Sequence, residues 1–284
     1  PTRDRVNEIA RYYDGMGTMI KNELIEIDAG DYRELKSVSV REKVDKLVKR
    51  MNRFAIKWSK KSAIEAYKKS MVKDRVSLDV LGYMKNEFFD EKVHFHAVDK
   101  YREAMADNLL RANQSIKVNI GIYLYLMKKS SDALMQIQAF DLRDEEIIAG
   151  LLDDAIKEGA SRSRLESLIR VHFKRELYEK KFININGRNY NLITYARNIA
   201  RTRLREVQSE ATKNMCEQFG CDLIEISSHG TECLICLEFE GNTYSIGGKT
   251  PGYPLLPGWP PYHNQCMHSA SPTSLAAIEW RKSH

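Results

Sequence analysis

Two short motifs near the C-terminus carry the residue types that bind metal. The chain reads Cys233-Leu-Ile-Cys236 and, after a proline-rich approach (Pro254, Pro257, Pro260, Pro261), His263-Asn-Gln-Cys266. A Cys-x2-Cys pair delivers two thiolates from one tight turn, the spacing a tetrahedral site needs, and the His-x2-Cys pair delivers two more ligands from a second turn. Zinc suits soft sulfur and imidazole donors and favours closed four-coordinate sites. Four protein ligands leave no position for water, so the expected role of Cys233, Cys236, His263 and Cys266 is a structural clip holding one zinc per chain, and not a catalytic centre. His268, two residues past Cys266, is an alternative nitrogen ligand to His263. The same cysteines also read as inert residues of a small core, as a redox motif or, less well, as a disulfide, since five cysteines leave one unpaired. Cys216 and Cys221 flank an expected helix end and read as packing residues.

Other chemistry is poorly represented. No hydrolase nucleophile elbow, phosphate loop or dinucleotide fingerprint is present. Gly247-Gly248-Lys249-Thr250 echoes the end of a phosphate loop without its upstream glycine spacing, and reads as a turn. His229 near Glu232 is an acid–base pair only if geometry brings the two together; the plainer reading is a polar loop. No run of about 18 apolar residues suggests a membrane span. The chain opens at Pro1-Thr-Arg without Met, and no secretory signal is visible there.

The elements that must position these residues are mostly helical. Val6, Ile9, Tyr13, Met16 and Ile20 recur at helical spacing, and Asp28-Ala-Gly-Asp31 breaks the pattern. Val40, Val44, Leu47, Met51, Phe54 and Trp58 form a second apolar stripe. A further helix contains Leu109, Leu110, Val118 and Ile122. Another begins near Asp144 and carries Ile147, Leu151, Leu152 and Ile156; Gly159 marks a connection before a helix from Leu165 to Leu177. His94 and His96 read as ordinary polar residues. Phe182–Ile185 and Arg188–Tyr190 flank Asn186-Gly187, a type I′ hairpin signal because both central residues need positive φ. A long helix follows from about Leu192 to Phe219, with Ala196, Ala200, Leu204, Val207, Ala211 and Met215 on one face and Gly220 at the C-cap. Asp222–Ser227 and Asn242–Ile246 read as two strands.

The net charge of +6 is unevenly placed. From Arg33 to Arg75 there are fifteen Lys or Arg against five Asp or Glu. Lys43, Lys46, Lys49, Arg50, Arg53, Lys57, Lys60 and Lys61 lie off the apolar stripe, so the segment is a basic amphipathic helix. Such a face suits double-stranded DNA or an acidic protein surface, and equally a face that merely meets solvent.

Gly187-Arg188-Asn-Tyr190, Tyr195-Ala-Arg197, Ala200-Arg201-Thr202, Cys233-x2-Cys236, Glu240-Gly241-Asn-Thr-Tyr244 and His263-x2-Cys266 follow one another in an order that resembles tailed-phage minor capsid proteins. Over about residues 180–272 the chain is similar to the phage Mu F-like head-morphogenesis family. Its motif residues here are Arg188, Arg197, Arg201, Thr202, Gly241 and Tyr244. Two positions depart from the family pattern: Arg203 stands where an acidic residue is usual, and His268 where a final cysteine is usual. The resemblance implies a non-enzymatic virion component, assembled in the host cytoplasm and placed in the capsid interior or at the portal vertex. Its implied partners are the portal protein and the major capsid or scaffold protein, with packaged DNA as a further contact.

The expected fold is α+β: a mainly helical region over residues 1–178 that docks on portal or capsid, then a small mixed α/β domain over residues 179–284 with a zinc-type Cys/His loop. A metal-dependent nuclease or a non-specific DNA-binding protein is the alternative. No paired carboxylates accompany the cysteines as an open second metal centre, which disfavours the nuclease. The stretch from Gly230 to Ser271 is rich in Gly, Pro and polar residues, so metal binding is expected to supply much of its folding energy.

Overall fold

The computed structural model describes residues 2–28, 34–84, 91–128, 179–185 and 188–284. The break after Asp28, the helices expected near Asp144 and at Leu165–Leu177, the connection at Gly159 and the Asn186-Gly187 turn lie outside the described residues. The elements are α1 (Thr2–Asp28), α2 (Glu34–Val80), α3 (Glu91–Lys128), β1 (Ile183–Ile185), β2 (Arg188–Tyr190), α4 (Leu192–Gln218), β3 (Leu223–Ile226), α5 (Leu234–Leu237), β4 (Thr243–Ser245), β5 (Ala270–Thr273) and α6 (Leu275–Ser283). The described chain is therefore mainly helical with a small antiparallel sheet near the C-terminus. No described helix is long and apolar enough to cross a membrane.

Two compact units share these elements. Both draw residues from either side of position 178, because the long helices run through both; the motif-based division at 178/179 describes content, and these units describe packing.

One unit comprises residues 7–56 and 107–197. Its core is set by helical periodicity: Ile9, Tyr13, Met16, Ile20 and Leu24 of α1 are buried, as are Val40, Val44, Val48, Met51 and Ala55 of α2 and Leu109, Ala112, Ile116, Ile120 and Leu124 of α3. Leu47 and Phe54, expected on the stripe, are half-buried at its edge, and Phe54 stacks on Tyr12 with ring centroids 3.7 Å apart. Val118 of α3 is 49 % exposed, on the side opposite Ile116 and Ile120. Val48, Ala55, Ile116 and Ile120 fill the faces instead; a 3.6-residue repeat fixes a stripe's width only to within a residue on each side. Tyr13 Oη donates to Asn113 Oδ1 (2.9 Å), and Asn113 Nδ2 donates to Asn52 Oδ1 (2.9 Å), so the buried amide is satisfied across three helices. β1 pairs antiparallel with β2, Ile183 opposite Tyr190.

The other unit comprises residues 1–6, 57–106 and 198–284. Trp58 donates its indole N–H to the Arg5 carbonyl (3.2 Å), while Leu204, Val207, Ala211 and Met215 of α4 are buried. β3 is the central strand of a sheet ordered β4-β3-β5, antiparallel on both sides. The strands β3 and β4 stand where expected. β5, four residues containing Pro272, and α6, capped by Ser274 accepting from the Ala277 N–H (3.3 Å), were not legible beforehand. Leu78, Met215, Cys216, Cys221, Ile224, Ile226, Tyr244 and Ala270 form one buried cluster. Phe239, Ile246, Leu256, Trp259 and Tyr262 pack against it, so the Gly230–Ser271 stretch contributes more apolar area than its composition suggests.

A buried polar seam runs through the same unit. His94 is 5 % exposed; its Nδ1 meets Tyr67 Oη at 2.7 Å and its Nε2 meets Gln218 Oε1 at 3.1 Å. It is a satisfied core histidine on a helix, while His96 on the other face is exposed. Thr212 Oγ1 donates to Asp74 Oδ2 (2.7 Å), and Ser70 Oγ lies 3.3 Å from the same oxygen. Asp74 Oδ1 is buried with no hydrogen-bond partner, and burial raises this carboxyl above its usual range, only partly offset by the Thr212 bond.

Candidate metal centre

The first metal-type turn is built locally. Cys233 precedes the single-turn helix α5 with extended backbone angles, φ −73° and ψ 114°. Its carbonyl accepts from the Cys236 N–H (3.0 Å) and the Leu237 N–H (2.9 Å), folding Cys-x2-Cys so that both sulfurs face one side. Thr231 Oγ1 accepts the Cys233 N–H at 3.1 Å. The next turn closes on Gly241, whose φ of 73° is a left-handed conformation that glycine adopts without strain. Tyr244 Oη then donates to the Glu238 carbonyl (3.2 Å).

The second turn repeats the device. The Cys266 N–H donates to the His263 carbonyl (3.1 Å), and Gln265 between them has φ 67°. His263 Nδ1 lies 2.7 Å from the Asn264 carbonyl. A proton on Nδ1 leaves the Nε2 lone pair directed at sulfur, 3.1 Å from Cys236 Sγ and 3.4 Å from Cys233 Sγ. Cys236 Sγ and Cys266 Sγ are 3.7 Å apart, and Cys266 Sγ lies 3.6 Å from His268 Nδ1.

These donors form two groups of three that share Cys236: Cys233, Cys236 and His263, and then Cys236, Cys266 and His268. Within each group the donor atoms lie within 4.8 Å of one another. The structure thus brings His268 to the cluster beside His263, not in its place. Two thiolates on a tetrahedral zinc at 2.3 Å are about 3.8 Å apart, and a thiolate and an imidazole about 3.5 Å; the sulfur–sulfur edge and three of the sulfur–nitrogen edges are within a few tenths of those values. The donor types suit zinc, and each group offers three donors at spacings near those of a tetrahedral site.

Electrostatics points the same way. N–H groups at Cys236 and Ile235 lower the Cys233 thiol, whereas burial first, and the neighbouring Cys266 and Cys233 sulfurs next, push Cys236 up to about 12. Adjacent sulfurs resist ionising together unless a cation shares their charge.

Glu240, which sequence reasoning did not single out as a site residue, holds the surroundings. Its carboxylate accepts the His229 N–H and, at 2.9 Å, the Thr231 N–H, and stands 3.5 Å from His268 Nε2. Those backbone donations, His229 first, keep it below the usual carboxylate range. No spacing rule links residue 240 to positions 229, 231 and 268, so only the fold reveals this role. His229 meets Ser227 Oγ (2.9 Å) and the edge of the His268 ring as well as Glu240. Gly247-Gly248-Lys249-Thr250 is a bend closed on Asp222, which accepts from the Gly247 N–H (2.8 Å) and Thr250 Oγ1 (2.7 Å).

The remaining candidates are dispersed. Lys43, Lys46, Lys49, Arg50 and Arg53 are exposed on α2 in one unit, and Lys57, Lys60 and Lys61 are exposed in the other. Lys43 pairs with Glu23 at 2.6 Å. Arg188, Arg197 and Arg201 are exposed, and Thr202 Oγ1 accepts the Gln265 N–H at 3.3 Å.

Residues 171–253 match the family model described as phage minor capsid protein 2. The match supports a phage minor capsid protein family in the C-terminal region, with a structural, capsid-related role. It includes Cys233, Cys236 and the Glu240–Tyr244 segment and ends before His263 and Cys266. No curated protein and no solved structure matches the chain.

Proposed function

We propose that this chain is a structural minor capsid protein of a tailed phage, acting in head morphogenesis at the portal vertex without enzymatic activity of its own. The observation that carries the reading is the family match over residues 171–253, in the region holding most of the ordered motif set. In this reading one zinc ion clips the loops of residues 230–268 together. Cys233, Cys236 and Cys266 supply sulfur and His263 or His268 the nitrogen, leaving no position open for water. The ion would supply folding energy and no reaction chemistry.

The helical part then docks on the portal, or on the major capsid or scaffold protein. Co-expression of the chain with portal, scaffold and major capsid proteins tests this. The expected result is that purified heads contain the chain in few copies and lose it when portal is omitted. Heads that exclude the chain, or carry it without portal, would sink the portal assignment.

A second reading concerns DNA. From Lys46 to Lys61 the sequence holds seven Lys or Arg and no Asp or Glu, and all seven are exposed. Helix-borne cations of this density suit phosphate backbones without sequence choice. Binding to double-stranded DNA should weaken steeply with salt; salt-insensitive binding, or none at low salt, would reject it.

A further inference from the structure

Gln265 is one of two non-glycine residues with positive φ among the described residues, at 67°. It sits between His263 and Cys266, so its conformation sets where these two donors point. A left-handed backbone is disfavoured for a residue with a Cβ and persists when its surroundings hold it. Gln265 is exposed, so packing does not hold it. Its N–H donates to Thr202 Oγ1 of α4 at 3.3 Å. Arg205, one turn further along α4, is half-buried. One face of α4 therefore lies against the second metal-type turn, and Thr202 is the side chain on that face that bonds its backbone.

We propose that Thr202 is a positioning residue for the metal clip: its hydroxyl oxygen accepts the Gln265 N–H and holds the His263–Cys266 turn in its left-handed form, ready to receive the ion. This rests on the zinc-clip reading above and gives a role to a motif threonine otherwise without one. Thr202 touches no metal donor and acts through the backbone of its neighbour. A ready-made turn loses less conformational freedom when the ion binds, so affinity is higher. Outer contacts of this kind typically change metal affinity 10- to 100-fold.

The test measures zinc affinity of the full chain by competition with a chelator, for wild type, T202V, T202S, and Q265G in the T202V background. Circular dichroism confirms folding, and the cobalt(II) absorption spectrum reports the ligand set. T202V should bind zinc about tenfold more weakly with an unchanged cobalt spectrum, and T202S should restore affinity. Q265G should recover most of the loss, because glycine takes the left-handed conformation without a partner to hold it. Wild-type affinity in folded T202V, or a T202V defect that Q265G leaves untouched, would overturn the proposal while leaving the clip intact. A wild-type protein that takes up no zinc would overturn the clip, and the role of Thr202 with it.

Discussion

The unit of residues 7–56 and 107–197 and the loops of residues 230–268 are held together by different means. In the former, buried Ile, Leu, Val, Met and Tyr recur every three or four residues on three helices, so each helix contributes a continuous apolar face. In the latter, the buried residues are Cys236, Tyr244, Ser245, Pro260, Cys266 and His268, and Leu234, Ile235, Leu237, Leu255 and Met267 are exposed. Area burial explains the first. The second rests at its base on the cluster around Leu78 and Ile224, and at its tip sulfur and imidazole groups lie close together. On the zinc-clip proposal, a few polar donors at close range supplement area at this tip, and their contribution would depend on a bound ion.

On the zinc-clip proposal, the largest effect should come from removing the ion. A structural zinc contributes on the order of 10 kcal/mol of apparent binding energy to folding. Chelation, Cys233→Ser or Cys266→Ser should therefore open residues 230–268 to protease while the helical circular dichroism persists. Unchanged protection of those loops in both variants would show that the aromatic base alone holds them.

Next in size is the reverse experiment. Ile20 is fully buried in α1, and Ile20→Ala should cost about 2–5 kcal/mol through lost burial and a residual cavity. The loss should be equal with and without zinc. A zinc-dependent loss would mean that the two regions are not held independently.

A smaller effect, of opposite sign, is expected in the polar seam. Asp74 has one buried oxygen without a partner and a raised pKa. Its folded form prefers the proton, so its stabilising contribution is full below the unfolded value near 3.8 and disappears as pH rises through the raised folded value. Asp74→Asn should then stabilise the protein at pH 7 by about 1 kcal/mol and flatten the dependence on pH in that window. Denaturant melts at pH 4 and pH 7 decide; a destabilised variant at pH 7 would mean that Asp74 is held charged.

The smallest effect is local. Ser274 caps α6 through the Ala277 N–H, and Ser274→Ala should cost about 1 kcal/mol, read as faster amide exchange confined to residues 275–283. Faster exchange at Cys233 or Cys266 would instead tie this helix to the clip.

Much of this was legible beforehand, for identifiable reasons. The stripe of α4 from Ala196 to Met215 is buried as its spacing implies, since helical side-chain direction is a local property. β3 alternates clearly enough to be found alone. β5 carries a proline and only four residues, and it is a strand because β3 offers an edge. Leu47 is half-buried at the border of its stripe, where one residue of rotation decides burial. His94 looked ordinary because its partners Tyr67 and Gln218 are 27 and 124 residues away.

By itself the sequence determined the candidate donors, the long described helices and the family resemblance, because residue type and short-range spacing carry all three. Only the tertiary structure decided that His268 lies in the cluster as well as His263, that Glu240 ties three separated positions, and that Thr202 of α4 bonds the backbone of Gln265. Those contacts join residues up to 63 positions apart. Loop paths of that length are set by packing, and no periodicity in the chain encodes them.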